Sequence, residues 1–465
     1  MRWRLDRLGV LLGGVSTGGM LLLLPAGGHP GDSIRLPLAA GVLGAFMLVL
    51  VGRTPQRWLS RAMVFALLAF GGSYVISILA SFDPERSAMR SSGIPISIVV
   101  GLLAMRLGAS SAVMRWIGLA AGAALLLMVV DMLWQRIAEF SLIGGLPMSS
   151  RQQGSLPNAN DVAMAAPLAA LATATLDLRR TAGRILSSVL ALSTLVVWHL
   201  SDSRNLLLGI AAAGATCVLI RGGEFRRRLR WILVVAFLLV PAILPWTSLR
   251  HRIIVDRVAA TSASTRPAAS ASSDAPASTE EAALSTLIRR LAATSRGRLY
   301  TVAWRTAAAC PLVGCGPGLF AEAWWHHEGG VAWGEIAPDV GYMPWAHNLW
   351  LEAAAERGLL GLAALLGLLG TWVAVAVVGW RRRGDEVQAV LPFAAAVSAA
   401  AGLMAMGLFD LTFLKEWIGL LLMFALGASA GAAVGLSAGE ADPARAERSP
   451  PTSTTASASA AANTA

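Results

Sequence analysis

At 465 residues and a formal net charge of +11, the chain is 55% hydrophobic and only 14% charged, with a mean hydropathy of +0.62. Soluble domains carry about 25% charged residues, so this composition excludes an ordinary soluble globular protein. It specifies an all-α polytopic membrane protein, because a helix satisfies its backbone hydrogen bonds within one segment when lipid offers none.

A bilayer core takes about 20 apolar residues in helical form to cross. In chain order, such stretches predict twelve spans: Leu8–Pro25, Leu36–Gly52, Ala62–Ser81, Ile94–Leu107, Trp116–Trp134, Asp161–Leu176, Ile185–Leu200, Leu206–Ile220, Trp231–Leu249, Leu359–Trp380, Ala389–Phe409 and Ile418–Ser437. Met1–Arg7 is basic and precedes an apolar run, as in a secretory signal. No small-residue cleavage site follows it, so a retained first helix is expected.

Arginine placement is an independent guide to topology. Clusters stand at Arg2/Arg4/Arg7, Arg53/Arg57/Arg61, Arg106/Arg115, Arg179/Arg180/Arg184, Arg221/Arg226/Arg227/Arg228/Arg230 and Arg381/Arg382/Arg383, which is every second connection. The positive-inside rule makes those connections, and both termini, cytoplasmic. Topology thereby explains the net charge, which gives no support to nucleic-acid binding; that would gather the basic residues in one patch.

The connections around Gly27–Arg35, Phe82–Gly93, Gln135–Pro157, Ser201–Asn205, Arg250–Gly358 and Asp410–Trp417 are then extracytoplasmic. The chain divides into helices one to nine over 1–249, an outer loop over 250–358, helices ten to twelve over 359–438, and a tail over 439–465. The Ala/Ser/Thr/Pro-rich insert 261–279 and the tail have the composition of disordered segments. No Walker-type glycine-rich loop is present, and an outer site argues against a nucleotide substrate.

The long loop gathers Arg296, Arg298, Arg305, His326, His327, Glu328, Glu335, Asp339 and His347, while the spans are mostly Leu, Ala, Val and Gly. Between Glu280 and Ala309, the spacing of Leu284, Leu287, Ile288, Leu291, Leu299, Val302 and Ala303 predicts one or two helices along the membrane surface. Pro311 to Gly318 predicts a glycine-rich turn, and Leu319–Trp325 a resumed helix. His347 lies at the start of a helix running through Glu352 and Glu356. Cys310 and Cys315 fit either a disulfide or two small packing residues.

Ser203-Arg204, Gly297-Arg298-Leu-Tyr-Thr-Val-Ala-Trp304, Pro311-Leu-Val-Gly-Cys-Gly-Pro-Gly318, His347-Asn348 and Glu356-Arg-Gly-Leu-Leu-Gly361 follow one another along the chain. Together these motifs resemble the O-antigen ligase and polymerase superfamily. The resemblance is clearest over Asp202–Ala363 and extends to span order and the long outer loop; the N-terminal spans match in hydropathy alone.

What it implies is a metal-independent, cofactor-free, inverting glycosyltransferase of the bacterial inner membrane, with its active site facing the periplasm. The implied donor is an undecaprenyl-diphosphate-linked glycan and the acceptor is lipid A–core sugar, another glycan, or a pilin serine. The family's motif arginines fall on Arg204 and Arg298, and its loop histidine on His347.

The residue types suit that chemistry. A guanidinium is permanently charged and binds phosphate oxygens bidentately, so Arg204 and Arg298 suit a diphosphate leaving group. The acceptor hydroxyl must lose a proton, and imidazole titrates near neutral pH, which makes His347 the candidate base. Arg296, Arg305, Asn348, Arg86, Arg90, Arg151 and Asn160 are candidate substrate-binding residues.

Structural alternatives stand beside each role. Arg204 also reads as a snorkelling arginine, Arg296 as the true match in place of Arg298, and His347 as a helix-capping interfacial histidine. His326-His327-Glu328 has a metal-like composition, yet adjacent side chains on a helix diverge by about 100° and no third ligand is suitably spaced. With Trp324, Trp325 and Trp333 these residues read as cleft-shaping or headgroup-level side chains. Asp131 within a span reads equally as functional or as a buried contact. Asp410 and Lys415-Glu416 read as surface charges. A transporter is the rival class, but its charges would line a path through the spans, whereas these cluster outside them.

Overall fold

In the computed structural model of the chain, the described residues are 58–143, 147, 156, 161–221 apart from 178, 295–335, 345–382, and 387–439 apart from 410–412 and 414, together with 15 and 17–19. The expected spans Leu36–Gly52 and Trp231–Leu249, most of Leu8–Pro25, the insert 261–279 and nearly all of the tail lie outside them. No β-strand occurs among the described residues.

The helices are α1 (Trp58–Leu79), α2 (Pro84–Arg90), α3 (Gly93–Gly108), α4 (Ser111–Ala138), α5 (Ala165–Ala174, entered through a 3-10 turn over Asp161–Met164), α6 (Thr181–Ser201), α7 (Arg204–Arg221), α8 (Ser295–Ala309), α9 (Phe320–Gly329), α10 (Leu349–Arg381), α11 (Val387–Met406) and α12 (Glu416–Gly439). Among the described residues, six are long and apolar enough to cross a membrane, or seven if the pair α2–α3, bent by 42°, forms one span. The apolar helices Asp161–Ala174 and Val390–Met406 are shorter.

Without a hydrophobic drive between helices in lipid, close packing depends on small residues. The α3–α12 pair shows this most clearly. A Cβ at Gly427 would stand 2.0 Å from the carbonyl oxygen of Gly101, and one at Gly431 would stand 2.1 Å from that of Met105. Only glycine lets these two backbones approach so closely. Asp131 is buried, and its carboxylate accepts hydrogen bonds from Ser141 Oγ at 2.9 Å and Ile143 N–H at 3.0 Å, anchoring the chain as it leaves α4.

Contacts between connections among the described residues sort these into two ends. At one end the α1–α2 connection, the long loop, the 3-10 turn before α5 and the α11–α12 corner touch one another. At the other end Arg221 donates to the Leu176 carbonyl at 3.2 Å, and Trp380 Nε1 to that of Leu219 at 3.2 Å.

Helix α10 is 33 residues long, roughly 50 Å at 1.5 Å per residue, against a bilayer core of about 30 Å. It is broken at Gly358, whose φ of 61° and ψ of −158° only glycine adopts freely. Residues 349–357 form a separate limb beyond the break, at the end that carries the loop.

Candidate active site

A second apolar cluster lies at the loop-bearing end. Leu299, Val302 and Ala303 from α8, Phe320, Ala321, Trp324 and Trp325 from α9, Ala346, and Ala355 from α10 are all buried in it. Leu299 is next to Arg298 and Ala346 is next to His347, so two of the predicted catalytic residues flank one small core.

The glycine-rich turn 311–318 is built onto the break in α10. Leu359 N–H donates to the Pro311 carbonyl at 2.7 Å, Gly316 N–H to that of Glu356 at 3.0 Å, and Cys315 N–H to that of Ala355 at 3.1 Å. A Cβ at Gly358 would meet the Leu312 carbonyl carbon at 2.5 Å, so the missing side chain admits the turn. The turn therefore satisfies backbone groups that the break leaves open. The Glu356 carboxylate, also buried, accepts from Phe320 N–H at 3.3 Å and fixes the start of α9.

Arg86 and Arg90, both on α2, converge on Glu322 of α9. Arg86 Nη1 lies 3.0 Å from Glu322 Oε1, and Arg90 Nη1 lies 2.9 Å from Oε2. Glu322 is fully buried, whereas about a third of each arginine remains exposed. Arg90 also donates to the Gly318 carbonyl at 2.7 Å, and Ser87 Oγ to that of Pro317 at 2.8 Å. Whatever substrate they meet, these arginines tie the second outer connection to the loop.

Arg298 donates through Nε and Nη2 to Glu328 Oε2, the Nε contact at 3.2 Å, and its guanidinium lies 5.5 Å from the centre of the Trp324 ring. Its side chain remains 55% exposed. Arg296 and Arg305 are also exposed on α8. His326 stacks on Trp333, with ring centres 4.4 Å apart and planes at 22°, and its Nδ1 donates to the Val331 carbonyl at 2.8 Å. His327 is held below the usual histidine pKa by burial, then by its neighbours His326 and Arg305. These histidines form an aromatic cluster with Trp333, against which Phe82 also packs at 5.1 Å. Among the described residues, no group of three or more His, Cys, Asp or Glu is placed to hold a metal.

His347 has a left-handed backbone, φ 53°, and is half-buried. Asn348 caps α10: its Oδ1 accepts from Trp350 and Leu351 N–H, both at 3.0 Å, while its Nδ2 donates to the Leu408 carbonyl at 2.8 Å. Leu349 N–H donates to the Gly407 carbonyl at 2.9 Å. The cap thus binds the His347 corner to the end of α11.

On the other side of His347, its ring centre lies 5.8 Å from that of Trp345, and Lys415 Nζ lies 4.9 Å from the Trp345 centroid. Lys415 pairs with Asp161, and their side chains are only 12% and 7% exposed. This corrects the expectation that Lys415 is a surface charge: its partner arrives from a connection far away in the chain.

Arg204 is the exposed first residue of α7, between the buried Ser203 and Asn205. A Cβ at Gly209, further along α7, would meet Met406 Sδ at 2.6 Å; Met406 adjoins Gly407, the acceptor for Leu349. The start of α7 therefore belongs to the same end of the bundle as His347. Arg151 and Asn160 lie outside the described residues. Cys310 and Cys315 are free thiols; burial pushes the Cys315 thiol well above its usual pKa, with Glu356 adding to the shift.

Residues 186–366 match the family described as O-Antigen ligase. That segment of the chain is similar to the O-antigen ligase family. The similarity is therefore to a family of glycan-transferring membrane enzymes. The matched segment runs from α6 through the first turns of α10 beyond Gly358, and so holds Arg204, Arg298 and His347 together with Glu322, Glu328 and Glu356. No curated protein matches the chain.

The sequence reading missed the carboxylates. Glu322 and Glu356 occur inside predicted helices, and nothing local marks them as buried. Asp161, Lys415, Arg86 and Arg90 meet that end of the molecule from outside the matched segment.

Proposed function

We propose that the chain is an inverting glycosyltransferase of the bacterial inner membrane that moves a glycan from undecaprenyl diphosphate to a hydroxyl of lipid A–core sugar. In this reading twelve helices span the bilayer, and the loop 250–358 faces the periplasm between the ninth and tenth. The ligase-family match over 186–366 carries the proposal, because it contains Arg204, Arg298 and His347. The apolar cluster flanking Arg298 and His347 supports their acting on one substrate.

The acceptor oxygen attacks the anomeric carbon opposite the diphosphate, and the carbon–oxygen bond to phosphate breaks with its electron pair leaving on undecaprenyl diphosphate. His347 takes the proton of the acceptor hydroxyl. Arg204 and Arg298 neutralise the charge growing on the diphosphate, the task for which guanidinium geometry is suited, so no metal or other cofactor takes part. Glu328 holds one edge of Arg298 and leaves the exposed remainder for phosphate. Arg296, Arg305, Arg86, Arg90, Arg151 and Asn160 supply further contacts to diphosphate or sugar, and Asn348 keeps His347 in place.

The test is transfer by the purified protein from an undecaprenyl-diphosphate glycan to lipid A–core. His347→Ala and Arg298→Ala should each lower kcat by roughly a hundredfold or more, the usual scale for a general base or a charge-stabilising donor. Parental rates in both variants would sink the mechanism. Transfer only to a second repeat unit, or only to a serine, would replace the acceptor with that of a polymerase or a protein glycosylation enzyme.

A further inference from the structure

A non-glycine residue in the left-handed region costs on the order of 1–3 kcal/mol, and persists where its surroundings over-determine it. His347 is such a residue, at φ 53°. On its C-terminal side the Asn348 cap and the bonds to Gly407 and Leu408 hold the chain. On its N-terminal side the anchor is Trp345, whose indole N–H is buried without a hydrogen-bond partner among the described residues. Among the described residues, no hydrogen bond orients that ring. Two groups lie against it, the Lys415 ammonium 4.9 Å from its centroid and the His347 ring with its centre at 5.8 Å.

The cation is itself constrained. Lys415 is nearly buried, and Asp161 balances its charge from the 3-10 turn before α5. Desolvation strengthens a cation–π contact, and the ion pair removes most of the ammonium's freedom to leave the ring. A run of contacts thus leads from Asp161 through Lys415 and Trp345 to His347, joining three connections distant in sequence.

We propose that Lys415 is a positioning residue for His347, seating the imidazole through the Trp345 ring. This rests on reading His347 as the base. Lys415 touches neither substrate nor reacting atoms; it fixes the direction in which the imidazole meets the acceptor hydroxyl.

The experiment measures glycan transfer by the full-length protein in lipid nanodiscs. Lys415→Gln should lower kcat about tenfold, the scale of a desolvated cation–π contact, with KM for the donor unchanged. Lys415→Arg keeps a cation under the ring and should stay within about threefold of the parent. In a Trp345→Leu background, Lys415→Gln should have no further effect.

A parental kcat in Lys415→Gln, or an equal loss with and without Trp345, overturns the proposal. If Lys415→Gln fails to fold, the exchange Asp161→Lys with Lys415→Asp decides. It keeps the ion pair but sets an anion against Trp345, so thermal stability should recover while kcat stays low; parental kcat in that variant overturns the idea. His347→Ala separates the two readings. If it retains the parental rate, the base assignment fails; if it is inactive while Lys415→Gln is silent, only the positioning role fails.

Discussion

Glu322 shows how much one side chain can organise. It is fully buried and receives two guanidinium groups, each about a third exposed. Removing one partner of such a group leaves uncompensated charge, which costs roughly 3–5 kcal/mol in a fully buried site and less where water reaches the arginines. Glu322→Ala should therefore destabilise the protein by about 3 kcal/mol or less, read as a lower unfolding midpoint in detergent. An unchanged midpoint would show that water alone satisfies Arg86 and Arg90. The sequence reading identified both arginines but assigned them only to substrate, because Glu322 lies 232 and 236 positions away. Lys415 was misread for the same reason, its partner Asp161 being 254 positions distant. Hydropathy and local spacing carry no information over such separations. His347 stood out because it is a polar residue at the mouth of an apolar helix.

At the scale of elements, hydropathy located α1, α3, α4, α5, α6, α7, α10, α11 and α12, and helical spacing with a glycine-rich turn anticipated α8 and α9. The bend in α10 was less legible. Gly358 belongs to a recognisable motif, but its left-handed φ and the docking of the 311–318 turn follow from tertiary contact. Gly358→Ala should cost about 1–3 kcal/mol from backbone strain, before any cost of moving the Leu312 carbonyl from the new methyl group. Transfer activity should fall with stability, because the same break supports the turn and α9. Hydrogen exchange on residues 311–318 would report it; unchanged protection there would show that the turn does not depend on the glycine.

At the scale of the whole molecule, close backbone contact organises the interior as much as side-chain bulk does. Gly427, Gly431 and Gly435 on α12 follow one another at four-residue intervals, facing α3. Gly431→Leu should lower the yield of folded protein and the thermal midpoint, since the added side chain would start 2.1 Å from the Met105 carbonyl oxygen. Gly367→Leu is the control, because a Cβ there meets nothing within 4 Å. Equal behaviour of the two variants would refute the close-packing account.

The ion pairs at the loop-bearing end also bear on inheritance and engineering. The stretch that matches the ligase family stops at 366 and starts at 186, whereas Asp161, Lys415, Arg86 and Arg90 all fall beyond it. That stretch is consequently no portable cassette: grafted between the helices of another scaffold, it would carry Glu322 without its arginines and Trp345 without its lysine. Changes on either side of each junction have to arise together, so the recognisable part of this chain and its unmatched flanks form one unit of selection.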